Sequence, residues 1–302
     1  MVKIAIAGGT SPTLGHAIVS ALLRTPNTPI ILSRAPSADN DSSTATPTTL
    51  YGAEVRHIDY TSAPSLTSAL ADIHTLISVL KLPGPAMATT QINLLNAAKV
   101  SGVRRFAPSE FGLGACERVD ATAAKERVWR ACLASGLEVA RFRCGAFMNY
   151  LALGREFGSA VAREKALAGL EDAPVLWDFA SGVAELPVRA DGTLPRMTMT
   201  EIDDVGRFIA AACGLTEGSW VGEMDMVGET IGLGEVVGLE LERRAGEGVG
   251  KTRDEVFRKL VAQLELLILE EKEGWAIMKP TLNEMCIHTK PLSVREYLMS
   301  YR

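Results

Sequence analysis

Cysteine, histidine and aromatic residues are scarce in this 302-residue chain, which has five cysteines, four histidines and 6% aromatic residues. The cysteines are far apart in the sequence and form no C-x-x-C pair. This spacing argues against both a disulfide framework and a zinc site. We therefore expect free thiols of the cytosolic kind and no bound metal.

A basic surface and a long apolar run are absent as well. The formal net charge is −5 at pH 7, and no cluster of basic residues suggests binding to nucleic acid or to an anionic membrane. No apolar stretch reaches the roughly 18 residues that cross a bilayer. We expect a cytoplasmic protein that binds neither nucleic acid nor membranes, as a monomer or a weak homodimer.

The first half of the chain alternates between short apolar runs and longer stretches with helical spacing. Strands that are each separated by one helix form a parallel sheet with helices on both faces. The pattern therefore predicts an α/β fold with a doubly wound, parallel Rossmann-type sheet. The six expected strands are Lys3–Ala7, Pro29–Leu32, Ala53–Ile58, Thr75–Leu80, Arg105–Ala107 and Leu137–Phe142.

The second half has a less regular pattern, which begins with a helical stretch at 152–170. We expect residues 1–150 to form the dinucleotide-binding domain, with a returning segment near 185–228. Residues 151–302 are expected to form a smaller, mixed α/β substrate lobe that is interleaved with the first domain. Ligands of doubly wound sheets bind outside the carboxyl ends of the strands, so such a lobe would form one wall of the ligand site.

Three further stretches complete the expected organisation. Helical spacing recurs at 233–245 and at 252–273. Residues 35–52 are rich in Ser, Thr, Asp and Pro and do not form a packed element. Because this segment follows the second strand, it is either a mobile loop beside the adenosine end of a cofactor or a tolerated surface insertion.

A glycine-rich turn follows the first strand in IAIAGGTSPTLGHAIV, residues 4–19. Glycine permits the tight turn and lets the backbone approach a pyrophosphate, which then faces the first amides of the next helix. The strict G-x-G-x-x-G pattern is absent, because Ser11 and one extra residue stand in the middle and Pro12 stiffens the loop. A ligand-free turn is the alternative. We assign cofactor binding to Gly8, Gly9, Thr10, Ser11, Thr13, Leu14 and Gly15.

The residues that end later strands indicate which nucleotide binds. NAD-preferring folds have a carboxylate at the end of the second strand, whereas this chain has Ser33 and Arg34 there. A guanidinium suits the 2′-phosphate of NADPH, so we expect NADPH as the cofactor, with a solvated arginine as the alternative. Ser78 and Val79 are expected on the adenine and ribose side. The nicotinamide end is expected near Pro108, Ser109 and Phe111.

Several motifs, in order along the chain, carry a family resemblance. The segment VRRFAPSEFG, residues 103–112, resembles the signature of the NmrA-like, atypical short-chain dehydrogenase/reductases, which include isoflavone reductases and phenylcoumaran benzylic ether reductases. GGTSPTLG resembles the glycine loop of that family with an insertion. ARFRCGAFMNYL and MTMTEIDDVGRFIAAA resemble its sixth strand and its returning strand and helix. The resemblance covers most of the chain and implies NADPH-dependent reduction of a small molecule.

The resemblance also implies a catalytic lysine. In those reductases a lysine on the helix after the S-E-F-G turn acts close to the nicotinamide, and the matching residue is Lys125. The Tyr-x-x-x-Lys pair of ordinary short-chain dehydrogenases is missing, because Ala121 stands four residues earlier, and the family lacks that tyrosine too. Lys125 is then the expected proton carrier, with a solvated helix residue as the alternative. On the substrate side we expect Glu110, Phe147, Met148 and Tyr150, with turn fixing or core packing as their alternative roles.

These observations together predict an NADPH-dependent reductase of a small aromatic or polycyclic secondary metabolite. Two other functions stay open on the same scaffold. One is a non-catalytic NAD(P)-sensing regulator, since the NmrA-like group includes such proteins, and the other is a non-redox enzyme such as an isomerase or a cyclase. Lys125 and Arg34 favour the reductase, whereas the altered glycine loop favours the alternatives.

Overall fold

The central element is an eight-stranded sheet, seen in a computed structural model that describes residues 1–34, 48–82, 84–116, 119–155, 157–179, 181, 183–244, 268 and 271–300. The strands of the described chain are β1 (Lys3–Ala7), β2 (Thr28–Arg34), β3 (Thr49–Leu50), β4 (Ala53–Ile58), β5 (Thr75–Ser78), β6 (Arg105–Ala107), β7 (Glu138–Arg143), β8 (Ala146–Phe147), β9 (Trp177–Asp178), β10 (Val183–Ala184), β11 (Arg196–Thr200), β12 (Gly222–Asp225) and β13 (Glu229–Gly232).

The strand order in this sheet is β12-β7-β6-β5-β1-β2-β4-β3. All neighbours pair in parallel except β3, which forms a short antiparallel edge against β4. The chain therefore winds outward from β1 in both directions, which is the doubly wound arrangement. The predicted α/β fold is confirmed, and the six expected strands are joined by β12 at one edge and β3 at the other.

Helices cover both faces of the sheet. The described helices are α1 (Leu14–Leu22), α2 (Ala63–Leu70), α3 (Pro85–Val100), α4 (Asp120–Leu133), α5 (Ala160–Leu167), α6 (Ile202–Cys213), α7 (Leu233–Arg244), α8 (Thr281–Met285) and α9 (Val294–Met299). On β1, Ile4 and Ile6 pack toward α1 and α6, whereas Ala5 and Ala7 pack toward α2, α3 and α4. Because both faces are buried, the strand is apolar at successive positions rather than at alternate ones.

A smaller lobe follows β7 and lies over the carboxyl ends of the strands. It contains a three-stranded sheet of order β13-β11-β8 and the β9–β10 hairpin. The prediction of a helix over residues 152–170 is wrong for the first half of that range. A 3₁₀ helix ends there at Ala152 (Met148–Ala152), and the next helix, α5, begins only at Ala160. Gly154 has φ +71°, which ends the helical conformation, and Ser159 then caps α5 through its side chain.

Asn149 connects this lobe to the returning helix α6. Its amide nitrogen donates to the Ala166 carbonyl at 2.9 Å and to Glu201 Oε1 at 3.1 Å, and its amide oxygen accepts from Ile202 N at 3.0 Å. The side chain is fully buried. These bonds fix the 3₁₀ helix and thereby the neighbouring Phe147 and Tyr150.

Some expectations concern residues that the structure does not describe. Most of the polar segment at 35–52 and most of the predicted helix at 252–273 lie outside the described ranges. The proposed division at residue 150 stays a prediction. Among the described residues, no helix combines the length and the apolar character that crossing a membrane requires.

Candidate functional site

The glycine loop between β1 and α1 is closely packed at both ends. Gly8 has φ +82°, and a Cβ there would lie 3.2 Å from the backbone nitrogen of Leu80. A Cβ on Gly15 would lie 2.7 Å from the carbonyl oxygen of Gly9, closer than real Cβ contacts. Both positions therefore require glycine, so the two ends of a dinucleotide loop are preserved despite the irregular spacing.

The middle of the loop is a wide turn organised by hydroxyl groups. Ser11 N donates to the Gly8 carbonyl at 3.0 Å, and the hydroxyls of Ser11 and Thr13 lie 2.7 Å apart. The inserted residue, Pro12, lies against the lobe. Its backbone contacts Gly169, which has φ +74°. A Cβ on Gly169 would overlap the Pro12 carbonyl group. The insertion is thus accommodated by a backbone-to-backbone contact with the lobe.

The residues expected at the adenosine end lie at the edge of the same sheet. Arg34 is exposed at the end of β2, and Ser33 before it is half-buried. His57 Nδ1 on β4 lies 3.4 Å from the Arg34 carbonyl oxygen. Thr10 is exposed, and its carbonyl accepts a hydrogen bond from the Tyr51 hydroxyl at 3.3 Å. The guanidinium of Arg34 is therefore available to an anion in solvent.

Ser78 supplies a polar group that none of the described residues uses. It ends β5, is fully buried, and its hydroxyl has no hydrogen-bond partner among the described residues. Buried hydroxyls are normally paired, so a ligand or water beside the glycine loop fits this position. The tight loop, the unpaired hydroxyl and the exposed arginine are together compatible with a dinucleotide.

A cavity of about 570 Å³ opens beside the loop, between the sheet and the lobe. Nine of the residues expected at the site line it, namely Ser11, Thr13, Leu14, Val79, Ser109, Phe111, Lys125, Phe147 and Tyr150. The others lie outside its lining, namely Gly8, Gly9, Thr10, Gly15, Ser33, Arg34, Ser78, Pro108, Glu110 and Met148. The structure therefore brings the glycine loop, the end of β6 and the expected catalytic lysine to one space.

Glu110 and Met148 were expected on the substrate side, but both are fully buried behind the cavity wall. Met148 packs in the lobe core together with Leu151 and Met199. Glu110 lies in the segment between β6 and α4 and has no exposed surface. Direct contact of either residue with a substrate in this cavity does not fit their burial.

Lys125 is partly buried in α4 and faces the cavity together with Thr122, one turn earlier. Burial lowers the pKa of Lys125, while the Glu110 carboxyl group and the Cys144 thiol act in the opposite direction. The side chain is therefore an amine that gives up its proton more readily than a lysine in water.

Three polar residues at the solvent edge of the cavity form a cluster. The sequence predicted Tyr150 on the substrate side, but not its contact with the other two. Lys81 Nζ lies 2.8 Å from both carboxylate oxygens of Asp172, and the Tyr150 hydroxyl donates to the same carboxylate at 3.0 Å. Burial raises the pKa of Tyr150, and Asp172 raises it further. No local pattern relates residue 81 to residue 172, because the lobe alone brings them together.

The chain belongs to the NmrA-like family, which its residues 2–274 match. The oxidoreductase BOA1 of Botryotinia fuckeliana (strain B05.10) is 29% identical over 247 residues, which make up 79% of this chain and 75% of that protein. Among solved structures, AtPrR2 with NADP+ and (+)pinoresinol has a TM-score of 0.70 at 17% identity, over 100% of this chain and 99% of that chain. A ternary complex of leucoanthocyanidin reductase from Vitis vinifera has a TM-score of 0.67 at 15% identity, over 99% of both chains. The structural similarity shows a shared fold.

Proposed function

We propose that this protein is an NADPH-dependent reductase of a small aromatic or polycyclic secondary metabolite. One observation carries the proposal, namely that Lys125 and the hydroxyls of the glycine loop line the same cavity. Membership of the NmrA-like family and similarity to a protein named as an oxidoreductase support a redox reaction. Similarity to a reductase solved with NADPH supports the cofactor.

The residues that would hold NADPH follow from the packing of the loop. The backbone from Gly8 to Leu14 would receive the pyrophosphate at the start of α1, where helix amides and the helix dipole favour negative charge. Arg34 would pair with the 2′-phosphate. Val79, Ser109 and Phe111 line the cavity between the loop and Lys125, so the nicotinamide end would lie against them. When bound, NADPH supplies a hydride.

Lys125 would carry the proton that accompanies this hydride. Its Nζ can protonate an oxygen or carbon atom that becomes negatively charged during reduction, or accept a proton from a phenol. A bound cofactor and substrate would exclude water from this exchange and strengthen its electrostatics. The sensor alternative requires no amine in the cavity, so the position of Lys125 favours an enzyme.

The shape of the cavity supports a flat substrate. The rings of Phe147 and Tyr150 are parallel to within 9°, with their centroids 6.5 Å apart. Leu80, Leu82 and Trp177 line the same space. Aromatic molecules pack well against such rings, while the hydroxyl of Tyr150 offers one polar contact. This combination suits a partly oxygenated ring system.

A fluorescence titration of the purified protein with NADPH, NADH, NADP+ and NAD+ tests the cofactor. Preference for NADPH, followed by NADPH consumption with an aromatic ketone, quinone or benzylic ether, is the expected result. Tight binding of the oxidised forms without turnover would favour the sensor, and turnover without net NADPH consumption would favour the non-redox enzyme.

A further inference from the structure

The cluster of Lys81, Asp172 and Tyr150 lines the cavity, and its hydrogen bonds all end on one acceptor. Lys81 Nζ donates to Asp172 Oδ1 and Oδ2, each at 2.8 Å, and the Tyr150 hydroxyl donates to Oδ2 at 3.0 Å. The Asp172 carboxylate is therefore shared between an ammonium group and a phenol. The proton of the Tyr150 hydroxyl is directed at Asp172 and away from a ligand.

Acceptor positions remain on two of these side chains. A carboxylate has about four acceptor positions, and among the described residues Oδ1 of Asp172 receives a hydrogen bond from Lys81 alone. The phenolic oxygen of Tyr150 donates its hydrogen and keeps its lone pairs as acceptors. Burial and the Asp172 carboxylate both raise the pKa of Tyr150, so the phenol stays protonated. Asp172 and Tyr150 therefore offer acceptors to a ligand.

A ligand in the cavity can reach these acceptors. The side chain of Asp172 is 37% exposed, and both Asp172 and Tyr150 line the cavity. The parallel rings of Phe147 and Tyr150 let a flat ring pack on this wall with a substituent beside the Tyr150 hydroxyl. A hydroxyl substituent fits these acceptors, because it brings a proton to donate. An ether oxygen in its place would face another oxygen without a hydrogen between them.

The charges at this edge of the cavity distinguish a hydroxyl group from a carboxylate. The carboxylates of Glu171 and Asp172 line it together with the ammonium group of Lys81. Lys81 already contacts both oxygens of Asp172, and its side chain is 83% exposed, so water satisfies its remaining N–H. A ligand carboxylate would bring a further negative charge and no proton, and like charges repel each other. A neutral hydroxyl group donates without adding charge.

We propose that Asp172 and Tyr150 select substrates that carry an unsubstituted hydroxyl group on an aromatic ring. The inference rests on the proposed function for the reaction, but not for the binding. The hydroxyl group donates to the Asp172 carboxylate or to the Tyr150 oxygen, while Lys81 holds the carboxylate in place. A hydrogen bond to a charged group favours the phenol over its methyl ether by about 10- to 100-fold.

Calorimetric titration of the full chain at neutral pH, with and without NADP+, tests this selection. The probes are 2-naphthol, 2-methoxynaphthalene and 2-naphthoate, which share one ring system and differ in the polar group. In the wild type 2-naphthol should bind about 10-fold or more tightly than the other two. Equal affinities, tighter binding of the ether or the carboxylate, or binding of none of the three would overturn the inference.

The Asp172→Asn variant separates hydrogen bonding from packing, because asparagine has a similar volume but adds N–H donors. The preference for 2-naphthol over 2-methoxynaphthalene should largely disappear, and Tyr150→Phe should lose part of it. Tyr297→Phe is the matched control, since it removes a tyrosine hydroxyl of the lobe that donates to the Ala166 carbonyl outside the cavity lining. This control should keep the full preference. An unchanged preference in Asp172→Asn would overturn the inference, as would equal losses for all three probes, which indicate a structural role.

The position of the hydroxyl group and the reductase function are tested separately. If Lys125→Met abolishes the preference while Asp172→Asn retains it, the hydroxyl group lies at Lys125 and the inference is wrong. A protein that prefers 2-naphthol through Asp172, but never consumes NADPH with a phenolic substrate, would keep the selection and lose the reductase function. A protein that consumes NADPH without preferring the phenol would keep its function and lose only this inference.

Discussion

Lys81 and Asp172 meet across the solvent edge of the cavity, with Lys81 Nζ 2.8 Å from both carboxylate oxygens. Lys81 follows strand β5 of the central sheet, and Asp172 belongs to the lobe. Because Tyr150 donates to the same carboxylate, one ion pair joins the sheet, the lobe and a side chain of the cavity wall.

Substitution of Lys81 by methionine should therefore change substrate binding more than stability. An exposed ion pair contributes about 1 kcal/mol or less, so the free energy of unfolding should hardly change. KM for the substrate should rise severalfold, because Asp172 and Tyr150 lose their anchor, while NADPH affinity stays constant. Lys3→Met breaks an exposed pair with Asp72 away from the cavity and serves as the control. Equal KM values for the two variants would contradict this prediction.

Substitution of Lys125 by methionine should remove the proton carrier while filling a similar volume. We expect kcat to fall by about 100-fold or more, the range of general acid–base catalysis, with NADPH affinity nearly intact. Steady-state kinetics and a fluorescence titration measure the two effects. Lys99→Met, at an exposed position in the last turn of α3, should be silent. Unchanged turnover in Lys125→Met would remove this residue from the mechanism.

Substitution of Arg34 by alanine should lower the affinity for NADPH and leave the affinity for NADH unchanged. Loss of a charge-assisted hydrogen bond to the 2′-phosphate should weaken NADPH by about 1.5–3 kcal/mol, whereas NADH, which lacks that phosphate, should bind as before. Titration of the variant with both cofactors measures the difference. Arg24→Ala removes an exposed arginine just after α1 and should affect neither. A similar loss for NADPH and NADH would refute the assignment.

Substitution of Gly15 by alanine should weaken all four nucleotide forms together. The new Cβ would lie 2.7 Å from the Gly9 carbonyl oxygen, so the loop must shift away from the pyrophosphate position. Gly238→Ala provides the contrast, because it adds a Cβ to open space on α7 and improves helix propensity by about 1 kcal/mol. Calorimetric titration of the two variants compares them, and full affinity in Gly15→Ala would show that the nucleotide binds elsewhere.

Glu201, which caps α6, should make stability depend on pH. Burial raises its pKa to about 7 from 4.5, and Asp203 adds to the effect. The folded state thus favours the protonated form, and this stabilisation is present below pH 4.5 and lost as the pH rises to about 7. The pKa difference corresponds to about 3 kcal/mol.

Urea unfolding of Glu201→Gln at several pH values measures this contribution. The variant should gain stability relative to the wild type as the pH rises from 4.5 to 7.5, because a glutamine has no proton to lose. Glu284→Gln, at an exposed position in α8, should track the wild type at every pH. A constant difference between wild type and Glu201→Gln would show that Glu201 does not titrate in this range.

The parallel sheet was predictable because each strand is a short apolar run and each helix has its own periodicity. β1, β4 and β6 have the predicted bounds. Gly8 follows β1, Gly52 and Asp59 flank β4, and Arg104 and Pro108 flank β6. The edge strand β12 lies in the returning segment expected near 185–228, but it was not predicted as a strand, because only its pairing with β7 reveals it. Residues 222–225 contain two acids and lack an apolar pattern.

The candidate site was predictable only for residues that are close in sequence or that follow neighbouring strands of the sheet. The glycine loop and the turn after β6 lie at strand ends, and parallel strands place their carboxyl ends side by side. How deeply each side chain is buried could not be predicted from the sequence. Glu110 and Phe111 are adjacent in sequence, yet Phe111 lines the cavity and Glu110 is fully buried behind it. The contact between Lys81 and Asp172 depends on how the lobe folds back.

The backbone contact between Pro12 and Gly169 has a kinetic consequence. Because the inserted residue rests directly on the lobe, a movement of the nucleotide loop toward the lobe would press on the roof of the cavity. A cofactor that fixes the loop also fixes the shape that the second ligand encounters. We therefore expect an ordered mechanism, in which the nucleotide binds first and dissociates last.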